Sequence, residues 1–149
     1  MFETIMGVPA HPLFVHGAAV FAPVAAILVL VWMLKKTSRG FHTLAAISTG
    51  LALVSIFLAR SSGDALLVMQ GHSEENPGPL ADHMLWANIM TGAVIVMTIA
   101  LLGVLVVQVK MQNNLLTGVC KTVVVIAAIA LLVACAFAGH AGAVQVWNN

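Results

Sequence analysis

Four long runs of hydrophobic residues, separated by short polar stretches, dominate the pattern of this 149-residue chain. They cover roughly Leu13–Leu34, Phe41–Leu58, Met84–Val109 and Val119–Ala138. A helix needs about 20 apolar residues to cross a hydrocarbon core about 30 Å thick. Three of the runs reach that length, and the second reaches it only if its helix continues past Leu58 toward Met69. The pattern predicts an all-α fold: one domain, residues 1–149, forming an antiparallel four-helix bundle that is integral to a membrane.

Basic residues and histidines are sorted to opposite ends of these predicted spans. One end, here termed the lysine end, carries Lys35, Lys36, Arg39, Lys110 and Lys121. The other, the histidine end, carries His11, His16, His72, His83 and His140 together with the acidic residues Glu3, Asp64, Glu74, Glu75 and Asp82. Short loops rich in Lys and Arg stay on the cytoplasmic side of a membrane. We therefore expect the histidine end and both termini to be external.

Composition agrees with a membrane location and excludes several classes of function. Hydrophobic residues make up 61% of the chain and charged residues 7%, where a soluble domain carries roughly a quarter charged residues. The net charge is +1 and no basic run occurs, so nothing indicates a nucleic-acid partner. Cys120 and Cys135 lie in one predicted helix, about 22 Å apart, too far for a disulfide. The sequence has no CxxCH motif for covalently attached haem.

Each predicted helix contributes an ionisable group at a similar depth near the histidine end. His16 is 19 residues from Lys35 and His140 is 19 residues from Lys121, about 28 Å in each case. His83 is 27 residues from Lys110 and is expected to lie further out. Ionisable groups inside a membrane are costly and usually mark a functional site.

The second helix contributes Asp64 to this constellation, together with Arg60. These two residues are four positions apart, so on a continuous helix they share a face and can form an ion pair. Asp82 precedes His83 and is a suitable N-cap for the third helix.

Three kinds of chemistry fit these residues, and an ordinary structural role fits them as well. Facing histidines can ligate a non-covalent haem b. A set drawn from His16, His83, His140, Asp64 and His11 can bind Zn, Fe or Cu. A histidine–aspartate cluster can also titrate during proton movement. In the structural alternative, the same groups hydrogen-bond to headgroups, water and backbone and hold the helices together.

Four short motifs resemble a known family. The opening Gly7–His16 (GVPAHPLFVH), the element Ser62-Gly63-Asp64, the histidine at position 83 and the closing Gly139–Trp147 (GHAGAVQVW) occur in this order. The pattern resembles bacterial domain-of-unknown-function family 2231, although Ala141 replaces the family's usual serine. The resemblance implies a four-span protein of the bacterial cytoplasmic membrane. Some members are fused to Rieske-type iron–sulfur or cytochrome c domains, which implies a redox setting but no defined activity.

These observations lead to one principal hypothesis and one alternative. The hypothesis is a haem b protein that passes single electrons within or beside a respiratory chain. We expect His16 and His140 to be the ligands, His83 to be the first alternate, Asp64 to orient an imidazole, and Arg60 to pair with Asp64 or a haem propionate. The alternative is a structural or Zn/Cu-binding membrane subunit without catalytic activity. Expected partners are the lipid bilayer, respiratory-chain subunits and further copies of the chain, and no catalytic residue is assigned.

Overall fold

Four long helices make up nearly all of the computed structural model, which describes residues 4–147 apart from the side chains of residues 5 and 146. The helices are α1 (Ala10–Leu34), α2 (Arg39–Met69), α3 (Ala81–Val106) and α4 (Asn114–Trp147). A single 3₁₀ turn, Gly78–Leu80, precedes α3, and a π-helical turn, Val107–Met111, extends its other end. The predicted all-helical architecture with four long apolar helices is confirmed for these residues.

The four helices are long enough and apolar enough to cross a membrane. The candidate spans are Ala10–Leu34, Arg39–Met69, Gly78–Met111 and Asn114–Gln145. Many large apolar side chains point outward, among them Val20, Ile47, Ile99 and Ile126, which are each more than half exposed. In water such a surface would be an aggregation liability, whereas lipid tails cover it without cost. These features indicate a multi-pass membrane protein.

Small side chains dominate the contact between the first two helices. α1 packs mainly against α2, and α3 mainly against α4, while the contact between α2 and α3 is the sparsest around the bundle. Ala22, Ala25 and Ala26 of α1 are fully buried, as are Ala45 and Ala52 of α2. In a membrane, helix association depends on close van der Waals packing, because lipid is as apolar as the side chains themselves. The fold therefore consists of two tightly packed hairpins, α1–α2 and α3–α4.

The helix boundaries settle whether the second helix is continuous and test the predicted N-cap of the third helix. α2 is continuous from Arg39 to Met69 and passes through Ser61–Gly63 without a break. The predicted N-cap role of Asp82 was wrong, because α3 begins at Ala81 after the 3₁₀ turn and the Leu80 cap position makes no side-chain bond. Asp82 lies instead in the first turn of α3, where a carboxylate still interacts favourably with the helix dipole.

A small β-hairpin leads into α1 and was not predicted. Strands β1 (Thr4–Ile5) and β2 (Val8–Pro9) are antiparallel, with Ile5 opposite Val8. The two residues between them, Met6 and Gly7, have φ values of 51° and 83°. Positive φ at both central positions is the backbone of the two-residue turns that match the twist of a hairpin. Strand β2 ends at Pro9, and α1 begins at the next residue.

Candidate functional site

The histidine end of the bundle brings two imidazole rings together, from His11 near the start of α1 and His83 near the start of α3. Their ring centroids are 6.2 Å apart and their planes are nearly perpendicular, at 86°. Each ring belongs to a different hairpin, so the pair bridges the two halves of the bundle. Among residues 4–147, these are the two histidine rings that contact each other.

The His11 ring is held by the neighbouring helix α2. Its Nδ1 atom is 3.0 Å from the carbonyl oxygen of Ala59 and 3.3 Å from Oγ of Ser62. The Ser62 side chain is buried and itself donates to the Ala59 carbonyl at 3.0 Å. Gly63 passes so close that a Cβ atom there would lie 3.1 Å from Cε1 of the ring. The imidazole of His11 therefore packs directly against the small residues Ser62 and Gly63.

The His83 ring is held in the same manner by α4. Its Nδ1 atom is 2.9 Å from the carbonyl oxygen of Ala138. A Cβ atom on Gly142 would lie 3.2 Å from that same Nδ1. In each hairpin, therefore, a histidine from the first helix bonds to a backbone carbonyl of the second helix and packs against a glycine four residues further along.

The backbone carbonyls fix the tautomer of both rings. A carbonyl oxygen only accepts hydrogen bonds, so Nδ1 must carry the proton in both His11 and His83. In the neutral imidazole, Nε2 then has the free lone pair. Within the described part of the chain, no hydrogen bond to either Nε2 is present. Metal-binding histidines are held in this way, with the other ring nitrogen donating to a carbonyl or carboxylate.

The separation of the two rings can be compared with that of two imidazoles on a single metal. With metal–nitrogen bonds of about 2.0–2.1 Å, the centroids of two imidazoles on opposite sides of a metal lie roughly 6 Å apart. The observed 6.2 Å matches this value. It also lies within the range of an ordinary edge-to-face aromatic contact, roughly 4.5–7 Å. The centroid separation therefore agrees with both a ligand pair and a structural ring contact.

Arg60 contacts three polar side chains at the histidine end of the bundle. Its Nε atom is 3.4 Å from Oδ1 of Asp64, which confirms the predicted pairing on one face of α2. Its guanidinium also donates to Oδ1 of Asn88 on α3 and lies 3.4 Å from Oε1 of Glu74 in the α2–α3 loop. Asp64 is near enough to His11 to interact with it electrostatically. Arg60 thus ties α2, the loop and α3 together where the contact between the two helices is sparse.

His16 and His140 lie apart from this pair. Both are exposed on the outside of the bundle. His16 donates from Nδ1 to the carbonyl oxygen of Pro12 in its own helix. In the part of the chain that the structure describes, no contact joins His16 to His140. Of the predicted site residues, the structure thus brings together His11 with His83, and separately Arg60 with Asp64.

The two remaining histidines have local structural contacts. His42 at the lysine end stacks on Trp32, with centroids 4.4 Å apart, and its Nε2 lies 2.9 Å from Oγ1 of Thr37. These contacts pin the short α1–α2 connection. His72 lies in the α2–α3 loop and packs against Gly78, whose φ of 56° forms part of a turn.

Metal donors are few at the histidine end. Across residues 4–147, no group of three or more His, Cys, Asp or Glu side chains is arranged to hold a metal ion. The pair of imidazoles is therefore a two-donor site. A tetrahedral zinc ion would need two further ligands, whereas a haem supplies four nitrogens of its own.

His11 ranked below His16 from sequence because it precedes Pro12 at the start of the first span, where a histidine can simply hydrogen-bond to the backbone. The signal that identifies His11 is the small-residue element Ser62-Gly63 on the second helix, which leaves room for a ring. Gly142 gives the same signal for His83.

No model of a known protein family matches the chain, and no curated protein or solved structure matches it either. The resemblance of its four motifs to the domain-of-unknown-function family stays a prediction.

Proposed function

We propose that this protein binds a redox-active haem b between His11 and His83 and passes single electrons at the external face of a bacterial cytoplasmic membrane. The single observation that carries the proposal is the matched support of the two rings. Each Nδ1–H donates to a carbonyl of the neighbouring helix, at 3.0 and 2.9 Å, and each Nε2 keeps its lone pair. This pair, His11 and His83, takes the place of the pair expected from the sequence, His16 and His140.

The number of donors favours haem over a bare ion. Two imidazoles complete the coordination of a haem iron, because the porphyrin provides the other four nitrogens. Gly63 and Gly142 let each imidazole lie directly against the backbone of the neighbouring helix, and the carbonyls of Ala59 and Ala138 hold the rings there. Arg60, which now pairs with Asp64 and Glu74, is the cation we expect to meet a propionate.

The chain's own contribution would be to orient the ligands and to set the potential of the metal. Hydrogen bonds from Nδ1 to backbone carbonyls fix both rings and raise the basicity of the ligating nitrogens. When bound, haem supplies one-electron chemistry. The described residues at the lysine end offer only His42 as a further imidazole, and its Nε2 is near Thr37. The proposal therefore places electron exchange at the histidine end, with respiratory-chain subunits as the redox partners.

The second candidate is a structural or metal-binding membrane subunit without catalytic activity. The observation that favours it is the ring pair itself, because two imidazoles with free Nε2 atoms can bind a Zn or Cu ion completed by ligands from outside the chain; a tetrahedral ion would draw the centroids from the observed 6.2 Å to about 5 Å. The observed separation suits an edge-to-face contact that bridges the two hairpins and binds nothing.

An absorption spectrum of the detergent-purified protein, oxidised and then dithionite-reduced, tests the proposal when metal analysis is run on the same sample. Haem predicts a Soret band that sharpens on reduction, with iron near one per chain. A colourless sample with stoichiometric zinc or copper would support the second candidate. A colourless, metal-free sample that also fails to bind added haemin would overturn metal binding and leave the structural role.

A further inference from the structure

A shallow apolar groove lies at the histidine end, separate from the two facing rings. It has a volume of about 280 Å³ and is lined by Val8, Pro9, Pro12, Leu13 and His16. The β-hairpin forms one wall and the first turns of α1 form the other. Val8 and Leu13 are 61% and 60% exposed, so the groove is open to its surroundings. It has room for one substituted ring.

His16 supplies the polar atom of this groove. Its Nδ1 donates to the carbonyl oxygen of Pro12, so the proton of the neutral ring lies on Nδ1. Nε2 is therefore an acceptor in surroundings that are otherwise apolar. Such a site recognises a compound with a hydroxyl hydrogen to donate and an apolar body. It does not suit an anionic phosphate headgroup, because the lining contains no Lys or Arg.

The position of the groove restricts which compounds reach it. His16 lies 19 residues from Lys35 along α1, about 28 Å, close to the thickness of a hydrocarbon core. The groove therefore lies near the boundary between hydrocarbon and headgroups. Compounds that arrive there in quantity are soluble in the bilayer and carry their polar group at its surface.

We infer that this groove binds the hydroxylated ring of a membrane quinol, with Nε2 of His16 accepting a hydrogen bond from one quinol hydroxyl. His16 is five residues from His11, about 7–8 Å along the helix axis and on a different face of α1. The quinol's role as electron donor rests on the proposed function. In that role the quinol would lose one proton and one electron: Nε2 of His16 would accept the proton, and a haem held by His11 and His83 would supply the one-electron acceptor.

The test measures binding to the purified chain in phosphatidylcholine nanodiscs, without added haem and under anaerobic conditions. The probes are decyl-benzoquinol and its dimethyl ether, which keeps the ring and the tail but has no hydroxyl hydrogen. Binding to empty nanodiscs is subtracted. With ¹⁵N-labelled histidine, the quinol is expected to shift the Nε2 resonance of His16.

The expected result is saturable binding of the quinol about 10-fold tighter than that of the ether, the effect of one hydrogen bond. His16→Phe should remove this difference, and His16→Gln should keep part of it because the amide oxygen accepts. His140→Phe, which changes another exposed histidine outside the groove, should bind like the natural protein. Equal affinity for quinol and ether, or unchanged binding in His16→Phe, would overturn the inference. Haemin titration of the same samples keeps failure of this site distinct from failure of the proposed haem site.

Discussion

Gly63→Ala adds a single methyl group at the point where the His11 ring packs against α2. The new Cβ would lie 3.1 Å from Cε1 and 3.3 Å from Nδ1 of that ring, where carbon atoms normally stay about 3.5–4.0 Å apart. The ring must therefore move by roughly 0.4 Å to restore that spacing. It cannot simply turn aside, because Nδ1 is bonded to the carbonyl of Ala59 one turn earlier on the same helix.

The magnitude follows from two opposing effects. Inserting a methyl group into a packed site costs about 1–3 kcal/mol, and alanine is favoured over glycine in a helix interior by up to about 1 kcal/mol. We expect Gly63→Ala to lower the free energy of unfolding by about 1 kcal/mol. Gly50→Ala on the same helix is the matched control, because a Cβ there meets nothing within 4 Å. It should raise stability by up to about 1 kcal/mol.

The assay is reversible unfolding in mixed micelles, with increasing sodium dodecyl sulfate and helicity followed by circular dichroism. The two variants should differ by about 2 kcal/mol, in the stated directions. Haemin affinity should fall in Gly63→Ala, because one ligand is displaced, and stay unchanged in Gly50→Ala. Equal stability of the two variants would refute the close contact between the His11 ring and Gly63.

Three further predictions concern other parts of the fold. Arg60→Gln removes two ion pairs at partly exposed side chains, so unfolding measured as above should show a loss of about 1 kcal/mol or less that shrinks as salt is added. Thr37→Val removes the hydroxyl beside Nε2 of His42, and thermal unfolding should report a loss of about 0.5–1.5 kcal/mol, while an unchanged midpoint would argue against that bond. In a background without the native cysteines, Ser73→Cys should react with a membrane-impermeant maleimide on intact cells and Asn113→Cys only after lysis, and the reverse pattern would contradict an external histidine end.

The helical architecture could be predicted from sequence because membrane spanning imposes a simple length rule. Each apolar run is long enough for a helix that satisfies its own backbone hydrogen bonds. The extension of α2 through Ser61–Gly63 was not decidable in that way, because serine and glycine weaken a helix signal while tertiary packing restores it. Buried Ser62 shows this packing, because its Oγ lies 3.3 Å from Nδ1 of His11 on the neighbouring helix α1.

The site could be predicted in part. Depth along a helix is estimated from residue spacing, and that estimate was wrong for His83: it was expected to lie further out than His140, whereas its ring lies against Ala138 and Gly142, level with His140. The direction in which a side chain faces cannot be read from spacing in this way, because a small error in helix phase near a proline turns the side chain inward or outward. His11 and His16 are five positions apart, roughly 140° around the axis, so only one of them can point into the bundle. The structure turns His11 inward and leaves His16 exposed.

The measurement that tests the central claim most directly is a haemin titration of four single variants, followed by absorption spectra of the reduced and oxidised forms. His11→Ala and His83→Ala should each lose six-coordinate, low-spin binding, and added imidazole should restore it by occupying the vacated space. His16→Ala and His140→Ala should bind haemin as the natural protein does. Retained low-spin binding in both His11→Ala and His83→Ala, or its loss in His16→Ala and His140→Ala instead, would contradict ligation by the two facing rings.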